Sequence, residues 1–167
     1  RRYFGTYRTT ATIGQTEDSL ERRFVWNVQH QVPRLMRVAE AANSWSYSTN
    51  NYRQANGSTA NQLAFVLGTT ALVHAAVTAH VGSSGSPVTT YVAVGDGTTS
   101  SPINLNFATT NFTSQINPVY ASGQAFAALG AHTWVWLERC ACGGGSTATW
   151  RGDDGASELM LSGMWGW

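Results

Sequence analysis

Apolar and polar side chains alternate with a period of two along most of this chain. That spacing turns one face of a strand into a core and the other toward solvent. Arg22, Phe24 and Trp26 alternate with Arg23, Val25 and Asn27, and Leu35, Arg37 and Ala39 with Met36, Val38 and Glu40. Trp45 and Tyr47 are flanked by serines, setting an aromatic face against a hydroxyl face. Residues 62–67 form a short apolar run closed by Gly68. Residues 71–81 are rich in alanine, yet Val73, Val77, Thr78 and Val81 favour extended backbone. As a strand, this segment turns Val73, Ala75, Val77, Ala79 and Val81 inward. Leu72, His74, Ala76, Thr78 and His80 then face the other way.

The second half continues the pattern. Residues 82–87 read as a loop and 88–94 as a strand ending at Gly95-Asp96-Gly97. Residues 104–112 are polar and short, with Pro102 and Pro118 marking loop or edge positions at their ends. The strongest strand signal is HTWVWLERC at 132–140. There Trp134 and Trp136 share a face with His132 and Glu138, while Val135 and Leu137 point the other way. Both faces are apolar, so this strand is expected to be buried on both sides, within a sandwich or against a neighbouring subunit. Residues 147–150 and 158–164 are expected to form a hairpin across 151–155, where Asp154-Gly155 signals a turn. Ten or so short strands with frequent turns predict one all-β domain, an antiparallel β-sandwich of jelly-roll type spanning 1–167.

Composition narrows the function. Charged residues are 11% of the chain, less than half the roughly 25% of an average soluble domain. All ten basic side chains are arginines, and Ser, Thr, Asn and Gly replace the missing charge. A net charge of +1 excludes strong electrostatic attraction to nucleic acid or acidic membranes. Seven tryptophans argue against disorder, because their area must be buried somewhere. The first ten residues hold neither an initiator Met nor a signal-peptide apolar segment. No apolar run reaches the roughly 18 residues needed to span a membrane.

Candidate chemistry is sparse. His30, His74, His80 and His132 are scattered, and His74 and His80 would stand on the order of 20 Å apart along one strand, too far to share a metal. Glu17-Asp18 and Asp153-Asp154 are adjacent carboxylates, whereas a glycosidase pair faces across a bond at about 5–9 Å. Side chains in such turns ordinarily bond their own backbone. Cys140 and Cys142 share a strand face at a spacing too wide for an easy disulfide; two metal ligands would need partners from elsewhere. Two small side chains at a strand end is the simpler reading. Arg151-Gly152-Asp153 spells an integrin-type tripeptide, but Gly and Asp are what a tight turn takes anyway. No G-x-S-x-G elbow, Walker A loop or H-E-x-x-H occurs, so the expectation is no enzyme, no catalytic residue, no cofactor and no metal. Trp45, Tyr47 and Tyr52, set among serines and asparagines, are the candidates for glycan binding, since a pyranose offers an apolar face and a polar rim. Trp134, Trp136, Trp165 and Trp167 are the candidates for a subunit interface.

Five motifs carry a resemblance to a known family. They are GQTEDS at 14–19, RRFVWN at 22–27, VPRLMRV at 32–38, SWSYST at 44–49 and RQANGSTANQLAFVLG at 53–68. With a Trp-x-Gly-Asp-x-Gly turn at 150–155, they resemble the C-terminal globular domain of structural proteins of tailed-bacteriophage virions. These are tail-fibre, head-fibre or decoration-type proteins. The likeness is strongest over 9–68 and weakens after Gly82, where the loops and the Cys-Ala-Cys-Gly-Gly-Gly segment depart from the family pattern. It implies a TNF/C1q-like jelly roll, a homotrimer, and a location in the virion after synthesis in the bacterial cytoplasm. It also implies a longer chain continuing before Arg1. The implied partners are other copies of the chain, other phage virion proteins and a bacterial surface glycan or protein, with no nucleic acid and no membrane insertion. The implied function is attachment to the host as a fibre or spike knob. The alternatives are a capsid decoration protein and, more remotely, a carbohydrate-binding module.

Overall fold

The computed structural model describes residues 5–27, 34–103, 106–111, 115–152 and 160–166, with 106–111 and 160–166 described as backbone. Its strands in the first half are β1 (Gly5–Tyr7), β2 (Arg22–Arg23), β3 (Val25–Asn27), β4 (Arg34–Ala39), β5 (Ser44–Tyr47), β6 (Arg53–Gln54) and β7 (Gln62–Leu67). A 3-10 turn at Ala55–Gly57 follows β6. Then come β8 (Ala71–Ser84), β9 (Val88–Asp96), β10 (Asn106–Asn111), β11 (Ile116–Ala127), β12 (Gly130–Ala141), β13 (Thr147–Arg151) and β14 (Met160–Gly166).

Pairing is nested about the middle of the chain. β9 pairs with β10, β8 with β11, β7 with β12 and β4 with β14, all antiparallel. The doubled ribbon then rolls so that β12 also meets β9 and β14 also meets β8. That topology is a jelly roll. One sheet runs β10-β9-β12-β7-β2 with β6 beside β12; the other runs β4-β14-β8-β13-β5 with β11 on the opposite side of β8. The all-β antiparallel sandwich predicted from the alternation is what forms.

The stripes meet as the periodicity requires. Val73, Ala75, Val77, Ala79 and Val81 of β8 are all inside, in one cluster with Phe65, Trp134, Trp136 and Trp150. Small side chains on β8 leave volume that large rings fill, which is how two facing sheets reach interior packing density. β12 is buried on both faces, as expected. Its outward Val135 and Leu137 pack with Ala93 under Tyr52. The 97–103 segment bends back over the same face, bonding Ile103 N–H to the Val94 carbonyl at 2.8 Å. The chain itself covers this face, so no neighbouring subunit is needed to bury it.

Four expectations change. β11 is a twelve-residue strand where the sequence pattern marks none, and Pro118 lies inside it opposite His80. β11 pairs only with β8 among the described residues, and an edge strand tolerates the N–H that proline lacks. β8 runs on to Ser84, into the expected loop. β13 and β14 do not form a hairpin: both lie along the same side of β8, β14 against residues 72–78 and β13 against 80–84. Finally, Cys140 and Cys142 are joined in a disulfide, with Cα atoms 5.2 Å apart, inside the usual range. β12 ends at Ala141 and the chain turns through the glycines that follow, which brings Cys142 closer than a regular strand would. Alkylation followed by intact mass checks this pairing. The denatured, unreduced protein is expected to take up no iodoacetamide, and the reduced protein to take up two additions.

Candidate functional site

The segment 53–61 is held by two buried carboxylates. Glu138 faces inward from β12 with no solvent exposure, in the stripe of Trp134 and Trp136. Its Oε1 accepts from Arg53 Nε at 2.7 Å and from the Asn56 backbone N–H at 3.2 Å, while Oε2 accepts the Trp45 indole N–H at 2.6 Å. Arg53 lies directly opposite Glu138 in the β6–β12 register, and its guanidinium also covers the Tyr47 ring at 3.9 Å. All three donors favour the ionised carboxylate, but desolvation outweighs them and pushes the Glu138 pKa up to about 7. Glu40, just after β4, holds the other end of the segment. It accepts from Asn61 Nδ2 at 2.5 Å and from the Ala42 N–H at 2.9 Å.

Asn56 makes the turn in this segment. Its φ of 55° is left-handed, a conformation that asparagine tolerates better than other side chains with a Cβ. Asn56→Ala is therefore expected to lower stability by about 1 kcal/mol and Asn56→Gly by less, a difference that urea denaturation midpoints resolve.

The acidic turn before β2 also proves to be a clamp. Glu17 pairs with Arg22 at 3.2 Å, and Asp18 bridges Arg23 at 3.2 Å and Arg34 at 2.7 Å. These carboxylates are matched by arginines, not aimed at each other across a bond. Asp153 and Asp154 lie outside the described residues, as do His30 and Trp167.

On the outer face of the β9–β12 sheet, three side chains form one cross-strand row. Arg139 points outward from β12, with Tyr91 of β9 as its direct partner. Tyr52, just before β6, flanks it on the other side. The Arg139 guanidinium lies 4.6 Å from the Tyr91 ring centre and 5.4 Å from that of Tyr52. The two rings meet edge to face at 6.5 Å. Arg139 Nε donates to Asn50 Oδ1 at 2.7 Å. Burial raises the Tyr52 pKa, and the Tyr91 hydroxyl adds to this while Arg139 works against it. The neighbouring loop is tied down at two points, by the Cys140 N–H to the Thr49 carbonyl at 3.1 Å and by the Tyr47 hydroxyl to the Asn51 carbonyl at 2.8 Å.

The structure divides the candidates read from the sequence. Trp45 is not a surface platform: it is 9% exposed, parallel to Trp150 at 6.5 Å and bonded to Glu138. Trp134 and Trp136 are core residues at 1% and 0% exposure, so neither offers a face to a subunit. Tyr47 and Tyr52 remain half-exposed. Trp165 lies in β14, whose backbone pairs with Arg34 of β4 and Val73 of β8, and so belongs to an internal strand and not to a free tail. Glu138, Glu40, Tyr91 and Arg139 were not singled out from the sequence. The available signal for Glu138 was a carboxylate in an otherwise apolar inward stripe. Among the described residues no three His, Cys, Asp or Glu side chains converge, and no helix is long and apolar enough to cross a membrane.

No family model matches the chain, and no curated protein matches it. Among solved structures it is similar to the Eiger TNF of S. frugiperda, at 8% identity and a TM-score of 0.47, covering 80% of this chain and 90% of that one. It is also similar to an α-amino acid ester hydrolase, at 11% identity and a TM-score of 0.39 over 74% of this chain. The match spans only 33% of the hydrolase.

Proposed function

We propose that this chain is a structural protein of a tailed-bacteriophage virion, the globular knob of a homotrimeric fibre or spike that attaches the particle to the host surface. The reading begins from the motifs at 14–68 and is supported by one observation in particular. The outer face of the β4-β14-β8-β11 sheet carries Leu35, Leu72, Ile116, Tyr120 and Phe126, all exposed. Phe126 stands directly opposite Leu72 in the register and adjoins it, whereas Tyr120 and Ile116 stand on the order of 20 and 30 Å further along the same face of β11. Large exposed apolar side chains that share one sheet face suit an interaction surface, and copies of the same chain are the occupant we assign to it. The reading assigns no catalysis to the chain: the oxygens of Glu138, the most perturbed carboxylate among the described residues, are directed at fixed donors within the core.

Burial of Trp45 together with Trp134, Trp136 and Trp150 favours a second reading, a capsid decoration protein whose rings serve packing alone. Light scattering on the purified chain separates these possibilities in two steps. A particle of three 18.0 kDa chains is expected, and a strict monomer overturns the knob. A trimer that binds bacterial cells supports attachment, whereas one that binds empty capsids and no cells supports decoration.

A further inference from the structure

We infer that the row Tyr52–Arg139–Tyr91 binds carboxylated sugars, the uronate- or nonulosonate-type residues of a bacterial surface polysaccharide. In this arrangement Arg139 takes the carboxylate and a tyrosine ring packs on the pyranose. The inference rests on the attachment reading and names its ligand class.

The argument starts from charge. In a chain with so few ionic groups, Arg139 is half-buried and no carboxylate pairs with it among the described residues. Its partners are the neutral Asn50 amide and two ring faces. A guanidinium presents five N–H donors in a planar fork, and these neutral partners occupy only part of it. The free part of that fork matches a carboxylate in two parallel hydrogen bonds. Arg8 and Arg151 likewise hold no carboxylate among the described residues, but neither stands between two tyrosine rings as Arg139 does. Arg22, Arg23, Arg34 and Arg53 each already hold a carboxylate.

Shape supplies the rest. Tyr52 and Tyr91 are half-exposed beside the cation, so an aromatic face lies within one sugar ring's reach of the guanidinium. Asn50 and Asn51 are exposed at the same edge and offer amides to hydroxyls on the polar rim. The strands fix Tyr91 and Arg139, and two hydrogen bonds fix the 49–51 loop, so little order has to be created on binding. Arg139 acting only as an adhesive for this loop is the competing explanation. It predicts a stability role and no ligand.

Amide chemical-shift titration of the labelled full chain tests the proposal. The probes are tetragalacturonate, an oligosialic acid, methyl-esterified tetragalacturonate and neutral cellotetraose. Saturable shifts at Asn50, Tyr52, Tyr91 and Arg139 are expected with at least one acidic probe. Esterification is expected to weaken binding about tenfold or more, because it removes the charge that the fork recognises. Arg139→Gln is expected to do the same while leaving the amide spectrum of the core intact. Arg139→Lys keeps the charge without the fork and is expected to fall between the two. Equal binding of acid and ester, binding indifferent to Arg139→Gln, or no shift with either acidic probe each overturn the inference. Adhesion to bacterial cells, measured alongside, keeps the two readings apart. A chain that adheres to cells but binds no acidic sugar loses this inference and keeps attachment. One that binds acidic sugars but no cells keeps the site and loses attachment.

Discussion

Glu138→Ala is expected to destabilise the fold by about 3–5 kcal/mol, enough to unfold a domain of ordinary stability. The substitution leaves the Trp45 indole N–H and the Asn56 N–H without their acceptor and opens a cavity beside Trp45 and Trp136. Arg53 is partly exposed and turns to water at modest cost, so the loss falls chiefly on the two donors and the void. Glu138→Gln tests the chemistry at constant shape. An amide cannot accept at both ends, so it sets its own NH2 against one of the donors. Urea denaturation of the two variants against the parent chain measures both effects. A Glu138→Ala variant with an unchanged midpoint would show that segment 53–61 is not held through this carboxylate.

The same group predicts the direction of a pH effect. Its folded pKa of about 7 lies above the ordinary value of 4.5, so the folded state holds a proton that the unfolded state releases between those limits. The contribution of Glu138 to stability is therefore greatest below about 4.5 and falls as the pH rises toward 7, by an amount on the order of 3 kcal/mol. Glu138→Gln is expected to lack this component of the slope.

The second large effect concerns assembly. If the chain assembles as proposed, Phe126→Glu is expected to convert the oligomer to monomer in light scattering while the monomer keeps its fold. At 78% exposure Phe126 contributes little within its own chain, where a surface substitution costs within about 0.5 kcal/mol. At the centre of an interface, an aromatic side chain commonly carries 2 kcal/mol or more. Tyr120→Glu on the same strand face is expected to act in the same direction. Truncation after Ser162 is a poorer probe, because it removes half of a strand paired on both sides and so attacks the fold itself.

Legibility in the sequence followed the distance over which each feature is determined. The inward stripe of β8 was readable because alternation is a property of a single strand. Glu138 was placed with Trp134 and Trp136 for the same reason, but its partners were not apparent, since Arg53 lies 85 positions away and Trp45 lies 93. Trp45 was misjudged as a platform: its serine neighbours described the outer face of β5, and the ring takes the inner one. β11 was passed over because Pro118 weakens a strand signal, and only the position of β11 at a sheet edge makes that proline harmless.

The sequence by itself determined that this chain forms alternating strands, which side of β8 faces the core, and that charged side chains are few. All three follow from local backbone geometry and from composition. Only the tertiary structure decided which strands meet and in what register. It thereby placed the tryptophans in the core, closed Glu138 inside a cage of donors, and set Arg139 between two tyrosines at the surface. Register between distant strands is fixed by how two whole sheets pack on each other, and no local pattern of residues contains it.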